Sequence, residues 1–268
     1  MNNVQNLIEE YTGKKKKIRF FDANCWLGNP VPESLAKVPE TTEELLDVMD
    51  YCGIEKAVVA SSMALNYNVV YGNKRLLEEI KRSTRLYGTA ILLPEHTGEL
   101  GELSDYISSL MANKVVMIKL FPKMHNFVLS DYCMGNLLNL LEERKIPITL
   151  WHTQTSWNEI DRLCSAYPRL SIIIEGVGRK LLYDNRIFYP LLKKHQNLFL
   201  ETHNLTNYLG LDDLVKKLGA RKLIFGTCTP KNDPEAALMP VVYGDFALEK
   251  KQMIAGNNLL SLITNIGK

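Results

Sequence analysis

The sequence predicts a single (β/α)8 TIM barrel. Short β-branched apolar runs alternate with helical patterns along the chain, and there are eight such runs. Most are apolar on both faces, as parallel strands covered by helices are. The chain has 268 residues, 46% of them hydrophobic, which is enough for one large core. No low-complexity linker divides it. Residues 1–268 therefore read as one domain, with an N-terminal extension over 1–16 and a C-terminal helix over 245–268. A doubly wound open sheet is the alternative, but it wants a glycine-rich first turn, and G-x-G-x-x-G is absent there.

The elements follow in order. An amphipathic lead-in, Val4 to Tyr11, and the basic run Lys14 to Lys17 precede the first strand candidate, Lys17–Ala23; the lysines read as a solvated edge. Thr42 to Gly53 opens on a capping residue and closes on glycine, so it reads as a helix. Apolar runs then place strands at Lys56–Ser61, Leu86–Leu92, Val115–Phe121 and Pro147–His152. Further strands fall at Ser171–Glu175, Asn197–His203 and Lys222–Thr227. Between them, apolar residues at helical spacing mark Asn73–Ser83, Glu99–Ala112, Gly135–Arg144, Ser156–Ala166, Phe188–His195 and Asp212–Leu218. Asp233–Tyr243 and Glu249–Asn265 close the chain, and Pro147 and Pro168 stop helices just before strands.

Composition narrows the function. The net charge of +2, from 32 basic and 30 acidic residues, gives no strong field for nucleic acid or a membrane surface. Residues 1–15 hold no apolar stretch of the signal-peptide kind, and no apolar run approaches the roughly 18 residues that span a bilayer. Cys25, Cys52, Cys133, Cys164 and Cys228 are odd in number and include no C-x-x-C. Free thiols in a reducing cytoplasm are expected. The expected partner is a small molecule.

In such a barrel the chemistry sits at the C-terminal ends of the strands. Those ends carry Asn24 and Trp26, Lys119, His152, Glu175, Glu201 with His203, and Cys228, while the strand interiors are nearly all apolar. His152 reads as an acid or base, or as a core histidine satisfied by a carbonyl. Glu175 would lie beside His152 and hold its tautomer, or would form an ion pair with Lys119 or Arg179. Cys228 is a thiolate ligand, a nucleophile or a small apolar filler. Glu201 and His203 are two apart and share a strand face. Trp151 reads as core packing. His96 and His125 read as exposed. Gly176-Val-Gly178-Arg-Lys180 is a weak phosphate-loop candidate, since a strand-to-helix turn uses such glycines anyway.

Several motifs together resemble the amidohydrolase-related family of metal-dependent hydrolase barrels. They are Phe21-Asp-Ala-Asn24-Cys-Trp26-Leu-Gly28, Ile118-Lys-Leu-Phe-Pro122, Pro147-Ile-Thr-Leu-Trp-His152, Ile172-Ile-Ile-Glu175-Gly, Leu223-Ile-Phe-Gly226-Thr-Cys228-Thr-Pro230 and Ile254-Ala-Gly-Asn257. The resemblance runs from Phe20 to about Leu260 and implies a hydrolase, or a related C–C lyase. Its substrate would be a small acid, amide, ester or lactone. It also implies a divalent metal, most often zinc, and kinship implies a homodimer. Carried over by position, the family's ligands fall on Asn24, Trp26, His152, Glu175 and Cys228, of which only His152 keeps the family's residue type. The expectation is therefore an enzyme without the usual metal site, in which His152, Glu175, Lys119 and Cys228 act and Asn24, Trp26, Glu201 and His203 bind substrate. Two alternatives remain: a non-catalytic barrel that binds a small molecule or a partner, and a rebuilt metal site from His152, Glu175, His203 and Cys228.

Overall fold

The structure, a computed structural model, describes residues 2–31, 38–176, 185–205 and 207–267. Eight parallel strands lie in the order of the chain: β1 Phe20–Leu27, β2 Ile54–Ser61, β3 Leu86–Ile91, β4 Val115–Leu120, β5 Ile148–Trp151, β6 Ile172–Glu175, β7 Leu198–Glu201 and β8 Leu223–Ile224. The helices are α1 Asn2–Lys15, α2 Thr42–Cys52, α3 Ser62–Asn66, α4 Val69–Ile80, α5 Leu103–Ala112 and α6 Asp131–Glu143. They continue with α7 Trp157–Ala166, α8 Asn185–Lys194, α9 Gly210–Leu218, α10 Pro234–Tyr243, α11 Leu248–Gln252 and α12 Asn258–Ile263. No helix among the described residues is long and apolar enough to cross a membrane.

Local chemistry sets the helix ends. Thr41 accepts from the Glu44 amide at the start of α2, and Gly53, at φ 71°, closes it in the left-handed region. Ser156 and Glu159 form a capping box at α7. Asn68 caps α4 through the Tyr71 amide, so this helix starts four residues before the expected Asn73. The closing helix is interrupted by a π turn at Met253–Asn257, where Gly256 packs on the start of β1. The N-terminal extension is itself a helix. Its lysines are partly used: Lys14 pairs with Glu10 at 2.6 Å, and Lys15 reaches Glu235 at 2.7 Å.

Two strand boundaries move in ways that matter for the site. β1 runs to Leu27, so Trp26 lies inside the strand and not past its end. β8 holds only Leu223–Ile224, shorter than the expected Lys222–Thr227. Beyond it the chain still follows β1: the amide of Ala23 donates to Phe225 O at 2.9 Å, Cys228 N to Asn24 O at 2.7 Å and Trp26 N to Thr229 O at 2.8 Å. These bonds close the ring.

Asp22 explains the irregular closure. Its Oδ1 accepts from the Asn24 amide at 2.8 Å and the Thr227 amide at 3.0 Å, and its Oδ2 from the Thr227 hydroxyl at 2.6 Å and Cys25 Sγ at 3.0 Å. The carboxylate thus takes an amide that a regular β8 would give to the ladder. Burial pushes the Asp22 carboxyl up from 3.8 to about 6, against the pull of those hydrogen bonds. A folded value above the unfolded one means that this stability term is full below about 4 and is lost as pH rises through about 6. Asp22→Asn removes the titration. The wild type is expected to lose about 1 kcal/mol relative to this variant between pH 5 and pH 7.5. Urea unfolding at the two pH values measures this; an unchanged difference would assign the titration elsewhere.

Candidate functional site

The closed ring brings strand-end side chains from opposite sides into one cluster. Asn24 from β1, Lys119 from β4, Glu175 from β6, Glu201 from β7, His203 just after it and Cys228 after β8 are all between 1% and 4% exposed. Lys119 is the centre. Its long stem carries Nζ across the barrel to 2.8 Å from Glu175 Oε2 and 3.0 Å from Asn24 Oδ1. Glu175 Oε1 is 2.7 Å from the same nitrogen but off the line of a hydrogen bond, so that contact is ionic. The ammonium also lies 4.9 Å from the centre of the Trp26 ring, a cation–π distance.

Asn24 turns its other end to the acids. Its Nδ2 donates to Glu175 Oε2 at 2.9 Å and approaches Glu201 Oε2 at 3.4 Å. Glu201 also accepts from the His203 amide at 2.8 Å and makes a short hydrogen bond with His203 Nδ1. That partner makes Nδ1 the protonated ring nitrogen, because a carboxylate only accepts. Among the described residues His203 Nε2 and Trp26 Nε1 are buried without a hydrogen-bond partner. Gly226 is required here: a Cβ on it would meet Glu201 Oε1 at 2.2 Å.

The structure gathers six of the eight residues singled out by sequence around this cluster, with Trp26 forming its wall as a seventh. His152 stands apart. Its Nδ1 lies 3.2 Å from the Glu175 main-chain carbonyl, and its ring stacks on Trp157. The expected pairing of His152 with the Glu175 carboxylate is therefore replaced by a main-chain contact, because Lys119 and Asn24 hold that carboxylate. Of the ion-pair partners considered for Glu175, Lys119 is present; Arg179 and the remainder of Gly176-Val-Gly178-Arg-Lys180 beyond its first glycine lie outside the described residues. Trp151 is half-buried, with Lys231 Nζ 3.5 Å over its ring and Gly176 against its edge. His96 is exposed as expected, whereas His125 is half-buried and its Nε2 lies 2.9 Å from Leu65 O.

Cys228 adopts φ 57°, an uncommon backbone state for a non-glycine residue. Burial pushes its thiol up to about 12; Lys119 pulls the other way, and Glu175 and Glu201 add to the rise. A thiol so held is protonated at neutral pH, which makes it a poor nucleophile.

A divalent metal does not fit these residues. Trp26 offers no lone pair, and the Lys119 ammonium occupies the point that the Glu175 carboxylate faces. Among the described residues no three His, Cys, Asp or Glu side chains gather as a metal-holding group. Of the four residues considered for a rebuilt site, Glu175, His203 and Cys228 lie at the cluster, while His152 contacts the Glu175 main-chain carbonyl.

Two features escaped the sequence reading. Asp22 was readable, as a charged residue inside the apolar run Phe20-Phe21-Asp22-Ala23. The Lys231–Trp151 contact was not, since nothing local links the two.

No family model and no curated protein sequence matches the chain. Solved structures do. An uncharacterised TIM-barrel protein of Bordetella bronchiseptica matches at 15% identity and TM-score 0.72, over 94% of this chain and 100% of that one. A protein of Acinetobacter baumannii, provisionally named a 2-pyrone-4,6-dicarboxylic acid hydrolase and solved with citric acid bound, matches at 13% and 0.66, over 92% and 100%. A dihydroxybenzoic acid decarboxylase of Polaromonas sp., solved with manganese and the inhibitor 2-nitroresorcinol, matches at 15% and 0.68, over 92% and 97%. At these identities the likeness establishes the fold: this chain is a TIM barrel.

Proposed function

We propose that the barrel is a hydrolase or C–C lyase acting on a small organic acid, amide, ester or lactone at the strand ends, with its own side chains in place of the family's metal. The observation that carries this reading is the convergence of one ammonium, two carboxylates, an amide and an imidazole at the place where such barrels do their chemistry. The barrels of like fold include one named for a hydrolase and one for a decarboxylase, both for acidic substrates. A cavity of about 230 Å³ beside the ends of β1 and β2, lined by Gly28, Ser62, Arg75 and Glu79 among others, supports a small ligand near the mouth.

The residues take roles from their surroundings. Lys119 supplies positive charge for an anionic group, worth more in this dry setting than in water. Asn24 bridges Lys119 and Glu175 and approaches the Glu201 carboxylate. His152, at the rim and held through Nδ1 by the Glu175 carbonyl, is placed to pass a proton to or from a bound substrate. Hydrolysis needs that proton removed from water; decarboxylation needs one delivered to the carbon that CO2 leaves.

A second reading, a non-catalytic barrel, is favoured by the near-complete burial of the cluster and the mutual neutralisation of Lys119 and Glu175. One assay separates the two. Purified protein is tested on lactones, amides and aromatic carboxylates, and any turnover is repeated with His152→Ala. Turnover that falls about 10²-fold or more in the variant supports the acid–base role. Turnover insensitive to the change removes His152 from catalysis, and no turnover on any class favours the binder.

A further inference from the structure

The oxygens at the barrel mouth are arranged for a cation, and the cation present is part of the chain. Asn24 Oδ1, Glu175 Oε1 and Glu175 Oε2 lie 3.0, 2.7 and 2.8 Å from one point, the Lys119 nitrogen. They come from β1 and β6, on different sides of the ring, and Glu201 stands next to them through Asn24 Nδ2. Nothing local in the sequence forces this focus; barrel closure and the reach of one lysine stem create it. Carboxylate and amide oxygens are the donors that hard divalent cations take, at about 2.0–2.6 Å. The observed spacings are instead those of N–H···O contacts. A further observation points the same way. Among the described residues Glu175 Oε1 is buried and accepts no hydrogen bond, and the positive charge it faces compensates it.

We propose that Lys119 is the resident cation of this barrel. Its tethered single charge takes the place of a dissociable divalent ion, and its ammonium keeps shut a latent oxygen-donor site for a hard cation. The disagreement between the resemblance, which implies a metal, and the side chains present then has a physical cause beyond the ligands that are missing. A metal at this point would have to displace a covalently attached like charge, which cannot leave. Lys119→Ala removes that charge and four heavy atoms, leaving room on the order of two or three waters at ~30 Å³ each. The oxygens of Asn24 and Glu175 then face an empty centre with net negative charge.

Manganese(II) is the probe, because its spin resonance reports binding directly and needs no turnover. The experiment therefore stands or falls apart from the proposed reaction. Wild type, Lys119→Ala and Lys119→Ala/Glu175→Gln are titrated with Mn2+ while bound ion and melting temperature are followed. The single variant is expected to bind one Mn2+ about tenfold or more tighter than wild type, as loss of an adjacent like charge implies, and to melt higher when loaded. The double variant is expected to lose that gain. Wild type that binds Mn2+ as tightly as Lys119→Ala overturns the proposal, as does a double variant that binds like the single one. If Lys119→Ala folds only when refolded with Mn2+, the latent site is supported. If it folds under neither condition and Lys119→Asn, which keeps a polar side chain, gains no Mn2+ affinity, the proposal fails.

Discussion

Lys119→Met is expected to destabilise the barrel by about 3–5 kcal/mol, the cost of leaving a buried carboxylate without its counter-charge. The Lys119 and Glu175 side chains are 2% and 6% exposed, so water does not take over when the ammonium goes. The size of the loss comes from the orphaned acid and not from the worth of the pair. Lys119→Met/Glu175→Leu, which removes both charges and keeps the volume apolar, is therefore expected to recover most of it, since replacing a buried ion pair by apolar residues is often near neutral. Urea unfolding of wild type, the single and the double variant measures both quantities. A single variant within about 1 kcal/mol of wild type, in the range of an exposed pair, would mean that the site is wet.

Trp26→Ala is expected to cost a similar ~3–5 kcal/mol, through a cavity rather than a charge. Trp26 is among the largest fully buried side chains, with Phe121 6.1 Å away between ring centres and Lys119 over its face. Its Nε1 makes no hydrogen bond among the described residues, so the indole acts here through volume and its ring face. Trp26→Phe keeps most of both and is expected to cost less than about 1.5 kcal/mol. Equal losses in the two variants would show that the indole nitrogen has a partner. The same residue shows why one substitution does not restore a metal centre. Trp26→His would add a ligand beside an ammonium that still repels the ion.

The fold was legible because strand count, order and burial leave a regular pattern, and all eight strands appear where apolar runs predicted them. The failures have local causes. Lys222–Thr227 holds the apolar run Leu223-Ile-Phe225, but the Asp22 carboxylate captures the Thr227 amide and ends the regular pairing. The segment Ser62-Met-Ala-Leu-Asn66 carries too few residues to show a helical period, yet it forms α3 with Ala64 and Leu65 buried.

The site was legible as a set of positions and less so as a set of contacts. Glu201 and His203 do meet, as their spacing implied, although β7 ends at Glu201. The Lys119–Glu175 pair was one of two readings for that acid. His152 and Glu175 sit on adjacent strand ends, and adjacency suggested a side-chain bond. A four-carbon stem from β4, two strands away, reached Glu175 instead. Strand order sets which residues share the mouth; side-chain reach and charge decide which of them touch.

The exchange of a dissociable ion for a tethered ammonium is tested most directly by elemental analysis of wild-type protein purified without chelator. Zinc, iron and manganese are each expected well below one atom per chain. One atom of any of them per chain, retained through dialysis and lost on Glu175→Gln, would contradict it.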